Sequence, residues 1–302
     1  MSTISLASSE APIAVPRKKK KITTQKVVVY IFLFLCSIYF LLPLYIMVIT
    51  SFKEMEEIRL GNILAWPQEF SFYAWDKAWN SSCSGTSCQG IKVGFINSLK
   101  IVIPSTIISV VLAAISGYAL ALWKVRWGNL ILSALMLGAF VPYQVILYPL
   151  VKLMALTGLY GTLPGVVLIH VMFGLPIHTL IFRNYYAALP SDLIKAALID
   201  SGDFFKIFFH IILPLSSSIL IVSTILQVTA IWNDYLIGLT FAGIDNLPMT
   251  VMLNNIVNST FGVKEYNVDM AVTMITALLP LVVYLFAGKF FIRGITSGAV
   301  KG

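Results

Sequence analysis

PSDLIKAALIDSGDFFKIFFHIILP, residues Pro190 to Pro214, decides how the rest of this 302-residue chain is read. Charged and apolar residues alternate here at helical spacing, between two long apolar runs. A charge near the centre of a bilayer costs roughly 2.5–3.5 kcal/mol on insertion scales, so a segment carrying Asp192, Lys195, Asp200, Asp203, Lys206 and His210 lies in water or against protein. Ser191 and Asp192 after Pro190 supply a helix start, and Leu193, Ala196, Ala197 and Asp200 share one side of the helix that follows. Ser201 and Gly202 break it. A second helix then starts from Asp203 as N-cap, with Phe204, Phe208 and Ile211 in one apolar row and Phe205, Phe209 and Ile212 in the next. Lys206 and His210 lie on its polar side, and Pro214 is expected to close the unit. Such a hairpin, kept between membrane runs, points to a soluble partner.

The composition of the whole chain is that of an integral membrane protein: 58% hydrophobic residues, mean hydropathy +0.88 and 11% charged residues, against about 25% in soluble domains. Apolar runs long enough for about 30 Å of hydrocarbon predict six spans and an all-α fold. The divisions are a basic tail 1–26, span one 27–51, an external loop 52–97, span two 98–123, span three 128–152, span four 166–182, the polar loop 183–214, span five 215–240, an external loop 241–268, span six 269–290 and a tail 291–302. TGLYGTLPG, Thr157 to Gly165, reads as a tight loop before span four. The first run is too long for the apolar core of a secretory leader and lacks a small-x-small cleavage site, so it is read as an uncleaved span.

Basic residues near span ends mark the cytoplasmic side. With both termini cytoplasmic, that side holds Arg17, Lys18 to Lys21, Lys26, Lys124, Arg126, Arg183, Lys195, Lys206, Lys289, Arg293 and Lys301, and only Glu10, Asp192, Asp200 and Asp203 as acids. The net charge of +8 is thus an asymmetry across the membrane and not a nucleic-acid surface. Cys83 and Cys88 fall in the first external loop, where an oxidising compartment allows either a disulfide or two thiols; Cys36 sits mid-span as a small apolar side chain. The same loop carries Trp66, Phe70, Phe72, Tyr73, Trp75 and Trp79, which fit either an interfacial belt or a packed cap that meets an external protein.

Polar residues within spans are candidates for a translocation path. These are Gln144 in span three, Gln227 in span five, and Asn233 with Asp234 at the outer end of span five, where structural hydrogen bonding is the competing role. His170 and His178 lie on span four about 12 Å apart along the axis, too far to share a metal ion, and polar packing suits them better. No metal site is expected. An ion-coupled secondary transporter is a competing class, but paired ionisable residues within spans and a broken helix repeated in two halves are missing.

Three motifs carry a resemblance. KAALIDSG at Lys195 to Gly202 with IILP at Ile211 to Pro214 resembles the EAA loop of binding-protein-dependent ABC importer permeases, E-A-A, three residues, G, nine residues, I-x-L-P. WNDYL at Trp232 to Leu236 is similar to their span-five segment. RGITSGAVKG at Arg293 to Gly302 is similar to the terminus of the maltose-type (MalG-like) carbohydrate permeases, and the CSGTSC outer insertion resembles glucose-type importers of proteobacteria. Weaker similarity runs from NSLKIV at Asn97 through SGYALALWK and VPYQVILYPL. Two positions depart: Lys195 stands where the family has Glu, and Ser201 where it has Gly, with Gly202 next to it.

The resemblance implies a six-helix type I ABC importer permease of a bacterial inner membrane, not itself an enzyme, moving a sugar; glucose, another monosaccharide, a polyol or an oligosaccharide stay open. It implies as partners a second permease chain, around which span one would wrap, a dimer of ATP-binding subunits holding ATP and Mg, and a periplasmic sugar-binding protein, besides membrane lipid. No cofactor is expected in this chain, which has no G-x-x-x-x-G-K-[ST] phosphate loop. ATPase coupling would fall to Lys195, Ala196, Ala197, Asp200, Ser201, Gly202, Phe204, Phe205, Phe208, Phe209 and Pro214, the four phenylalanines as interface anchors. Gly298, Val300 and Lys301 would form a C-terminal contact between the ATPases or stay solvated.

Overall fold

The computed structural model describes residues 23–85, 87–123, 125–200, 202–259 and 263–299, with the backbone alone over 289–299. It divides into two units, Met1–Ile46 and Met47–Gly302. The described part of the first is a single apolar stretch of α1 (Thr24–Ser51), whose side chains from Val27 to Leu44 are largely exposed.

In the second unit, α2 (Met55–Arg59) and α3 (Tyr73–Asn80) precede α4 (Lys92–Leu122), a 31-residue helix. Then come α5 (Gly128–Phe140), α6 (Tyr143–Leu156) and α7 (Leu163–Ala187). The polar loop holds α8 (Ser191–Asp200) and α9 (Phe204–Ile207), which continues through a π-helical turn (Phe208–Ile212) into α10 (Leu213–Leu215). The chain ends with α11 (Ser217–Trp232), α12 (Leu236–Phe241), α13 (Met249–Val257) and α14 (Tyr266–Ala299). No strand occurs among the described residues.

Among the described residues, four helices are long and apolar enough to cross a membrane: Thr24–Ser51, Lys92–Leu122, Leu163–Ala187 and Tyr266–Gly288. The count reaches 6 when two bent pairs each serve as one span. This corrects span three, expected as one helix over 128–152: it turns by 100° between Phe140 and Tyr143, because Pro142 cannot continue the α5 ladder and forces Val141 into extended backbone. Span five is corrected likewise. The bend of 81° separates Phe204–Leu215 from Ser217–Trp232, so Pro214 lies inside a helix and Ser216 makes the corner. A second break at Asn233 to Tyr235 separates α12. Span four extends beyond 166–182 at both ends; Thr162 caps it by accepting from Gly165 N at 3.1 Å, which takes three residues out of the expected tight loop. Span two starts six residues before 98, and α14 carries span six into the expected tail.

α4 and α7 form the most extensive helix pair of the chain. The reason is a row of small residues on α4, Ser105, Ser109, Ala113 and Gly117, each four apart and all buried. At Gly117 the backbones approach so closely that a Cβ would stand 2.7 Å from Phe182 Cβ. Two apolar clusters form along this pair. One, at the α3 and α13 end, gathers Ile101, Val102, Val166, Ile169, Ile231, Trp232, Phe241 and Met249. The other, at the α8 to α10 end, gathers Val110, Tyr118, Phe182, Tyr186, Ala197, Ile207, Phe208 and Ile212.

Candidate functional site

The α8–α10 unit is built as a wedge with one face on its own chain. Gly202 adopts φ +62°, a left-handed conformation that L side chains avoid, and so ends α8. Asp203 then caps α9 by accepting from Lys206 N at 2.6 Å. Ala197 is buried, whereas Lys195, Ala196, Asp200 and the apolar Ile199 are exposed. Lys195 pairs with Asp192 at 3.2 Å on the surface, where such a pair adds little stability. Ser201 lies outside the described residues.

Tyr118 near the end of α4 is the seat of the wedge. Its ring lies 4.7 Å from Phe204, 5.4 Å from Phe208 and 6.3 Å from Tyr186, and its hydroxyl donates to Phe204 O at 3.4 Å. Trp123 meets Phe204 at 5.2 Å, and Tyr185 Oη donates to Leu215 O at 2.7 Å. This corrects the expectation of four outward anchors. Phe208 is only 2% exposed and Phe204 is half-buried in the same aromatic group, because α4 and α7 offer an apolar seat for that row; only Phe205 and Phe209, 58% and 51% exposed, face away. Ile212 is corrected too. The π turn is wider than an α turn and brings Ile212 under Phe208 into the buried cluster, out of the row of Phe205 and Phe209. Pro214, without an N–H, cannot bond the carbonyl of His210, which suits it to follow a π turn.

The polar residues of the spans divide sharply. Gln227 is 3% exposed: its Oε1 meets His178 Nε2 at 2.7 Å, and its Nε2 donates to Ser109 Oγ at 3.1 Å and His170 O at 3.4 Å. Ser223 Oγ reaches the other ring nitrogen, His178 Nδ1, at 2.7 Å. Gly174 makes room for this group, since a Cβ there would stand 2.4 Å from Gln227 Nε2. Asp234 caps α12, accepting from Gly238 N at 2.9 Å and Ile237 N at 3.4 Å, while its carbonyl accepts from Thr250 Oγ1. His170 Nε2 stands 4.0 Å from Asp234 Oδ2. Asn233 and Gln144 are exposed on the described chain. Of the four path candidates, then, Gln227 and Asp234 spend their polar atoms within the chain, and Asn233 and Gln144 keep theirs outward. Among the described residues no group of three or more His, Cys, Asp or Glu could hold a metal ion.

At the other end, some aromatics between α1 and α4 meet in a cap around Phe52 and Trp75, while Trp66, Phe70, Phe72 and Tyr73 stay exposed. Phe52 stacks on Trp75 at 5.4 Å, meets Phe72 and Phe70, and Trp75 Nε1 donates to Ser51 Oγ at 3.2 Å. Lys53, buried, donates to Asn62 O at 2.9 Å, and its own carbonyl accepts from Asn267 at the start of α14. Lys77 on α3 bonds Glu265, which holds its ammonium above the ordinary value of 10.5. Cys83 and Cys88 are joined by a disulfide, whose loop is tied to α13 by Asn255 Nδ2 donating to Ser84 Oγ at 3.1 Å. Gly298 falls in the last turn of α14; Val300 and Lys301 lie outside the described residues.

Tyr118, Ser109, His178 and Ser223 carry this arrangement, and three of them were not singled out by sequence. A signal existed for Ser109: Ser105, Ser109, Ala113 and Gly117 repeat small residues every fourth position, a helix-contact pattern.

A multi-pass helical bundle with a wedge of two short helices at one end is the architecture of a membrane transport component. The chain belongs to the family of binding-protein-dependent transport system inner membrane components, whose profile matches residues 109–296. It is 38% identical to an alpha-glucoside transport system permease protein of Rhizobium meliloti, over 72% of this chain and 58% of that protein. It is 28% identical to a glucose import system permease protein of Saccharolobus solfataricus, over 90% and 95%. The fold matches the crystal structure of a bacterial ABC transporter involved in the import of the acidic polysaccharide alginate, with TM-score 0.77 and 17% identity, covering 92% of this chain and 100% of that one. The type I ABC permease fold is thereby established, and with it a multi-pass transport subunit.

Proposed function

We propose that this chain is one of two permease subunits of an ATP-driven sugar importer in a bacterial cytoplasmic membrane, with both termini and the α8–α10 wedge in the cytoplasm. A separate ATPase dimer, carrying ATP and Mg, receives the wedge, and a periplasmic sugar-binding protein delivers cargo to the opposite end. The observation that carries the reading is the two-faced wedge. Phe205, Phe209 and Ile199 are exposed together with charged residues that exclude this surface from hydrocarbon, while Phe204 and Phe208 lock the same unit to α4 and α7. A displacement imposed on the outer face therefore moves the spans beneath it as a rigid body. Support for sugar as cargo comes from the relatives, whose names specify glucose and alpha-glucoside. Asn233 and Gln144, exposed on the described chain, are the residues of this subunit offered for the path, and Gln227 and Asp234 serve it indirectly by fixing α11 and α12.

The test is reconstitution of the full complex in proteoliposomes, with ATP hydrolysis measured across a panel of monosaccharides, polyols and oligosaccharides. At least one sugar presented with its binding protein should stimulate hydrolysis and accumulate inside. Hydrolysis indifferent to every sugar, or uptake without ATP, would refute the reading.

A further inference from the structure

Between the two apolar clusters, each of three helices carries one stretch of buried polar residues. On α4, Ser109 stands between Val102 and Val110; on α7, His170 and His178 stand between Ile169 and Phe182; on α11, Ser223 and Gln227 stand between the end of the wedge and Ile231. Ser109, His178, Ser223 and Gln227, with the His170 carbonyl, are joined in one hydrogen-bonded group, whereas the neighbouring hydroxyls of Ser105, Thr106 and Thr179 are buried without a hydrogen-bond partner among the described residues. The bonding pattern of the group is directional. Gln227 Nε2 has two acceptors before it, so Oε1 is the atom facing His178, and an amide oxygen can only accept. His178 Nε2 therefore carries the hydrogen, leaving Nδ1 of the neutral ring to accept from Ser223 Oγ. One tautomer of one side chain on α7 thus holds two positions of α11, and the second of these holds α4.

At the coupling end the wedge is packed onto α4 and α7 through Tyr118, Phe182 and Tyr186, whereas it passes into α11 through the 81° corner at Ser216, with the partly buried Ile219 and Leu220 of α11 against the same cluster. A corner of that sharpness transmits a push poorly unless the far arm is held by something else.

We propose that His178 is a positioning residue for transport: through Gln227 and Ser223 it clamps α11 to the α4–α7 pair, so that all three helices move together when the wedge is displaced. This rests on the importer reading given above. Buried polar groups within a bilayer are expensive and hold geometry when fully bonded, as His178 and Gln227 are here. Gly174 is the companion concession, a missing side chain that lets the amide lie against α7.

The experiment uses the complete complex in a Cys36→Ser background, with nitroxide labels at Thr224 on α11 and Ile108 on α4, both on exposed faces. Distances are compared between nucleotide-free and vanadate-trapped states, beside radiolabelled glucose imported per ATP hydrolysed. The intact clamp should give the same label distance in both states. His178→Leu should make that distance differ between states and lower glucose imported per ATP by roughly tenfold while hydrolysis persists. The exchanged pair H178Q/Q227H, which restores an imidazole–amide contact, should recover part of the ratio. A His178→Leu complex with unchanged distances and an unchanged ratio overturns the proposal. If His178→Leu fails to assemble, Ser223→Ala removes a single hydroxyl and must show the same two effects in smaller measure; wild-type behaviour there also overturns it. If the unmutated complex imports no glucose, the choice of cargo fails, and the label distances still decide the clamp.

Discussion

Phe208 and Phe209 are adjacent in sequence and opposite in environment, the first sealed against Tyr118 and the second open. Their substitutions should therefore fail in different ways. Phe208→Ala removes a ring from a packed cluster and should destabilise the chain by about 3–5 kcal/mol, read as a lowered melting temperature in detergent. Phe209→Ser should leave that melting temperature unchanged and, on the proposed docking, abolish co-purification with the ATP-binding subunit, because Phe209 is exposed and adds nothing to the chain's own core. Helical spacing was enough to sort the four phenylalanines into two rows. It could not say which row faces the protein's own helices, since both are equally apolar and the deciding residue, Tyr118, lies 86 positions from Phe204. The same limit applies to Gln227, read as a path candidate: one residue type serves a sugar or a histidine equally well, and only the neighbours Ser109 and His178 distinguish them.

Among the elements, the straight helices were legible and the bends were not. Charge-free length marks α1, α4, α7 and α14, because hydrocarbon imposes a minimum length of apolar chain whatever the tertiary fold. The same measure runs straight through Val141–Pro142 and Ser216, because hydropathy averages over a corner. Pro142 was a visible breaker, and Pro214 a misleading one, for the corner falls two residues later at a serine whose hydroxyl donates to Ile212 O at 2.5 Å. The cap between α1 and α4 makes a prediction at this scale. Glu265 raises the Lys77 pKa in the folded state, so the bridge from α3 to the segment before α14 contributes fully below the free lysine's value and is lost as pH rises through the raised one. Resistance of the 52–91 segment to limited proteolysis should accordingly be flat through the neutral range and fall only at alkaline pH beyond 10.5. Lys77→Met should remove that alkaline step and make the segment more susceptible at neutral pH.

On the scale of the whole molecule, two apolar clusters at opposite ends of the α4–α7 pair are joined by a polar group in the middle, and the wedge is fastened to one of them. Under the proposed function, a movement made at the α8–α10 end would reach the other end without the intervening helices shearing. The central claim is that the movement enters through the outward face of the wedge, and it can be tested at one position. A photo-crosslinking benzoylphenylalanine placed at residue 209 of the assembled complex should capture the ATP-binding subunit, with a yield that changes between nucleotide-free and ATP-bound states. Capture of lipid or of the second permease alone, in a complex that still imports its cargo, would contradict the account.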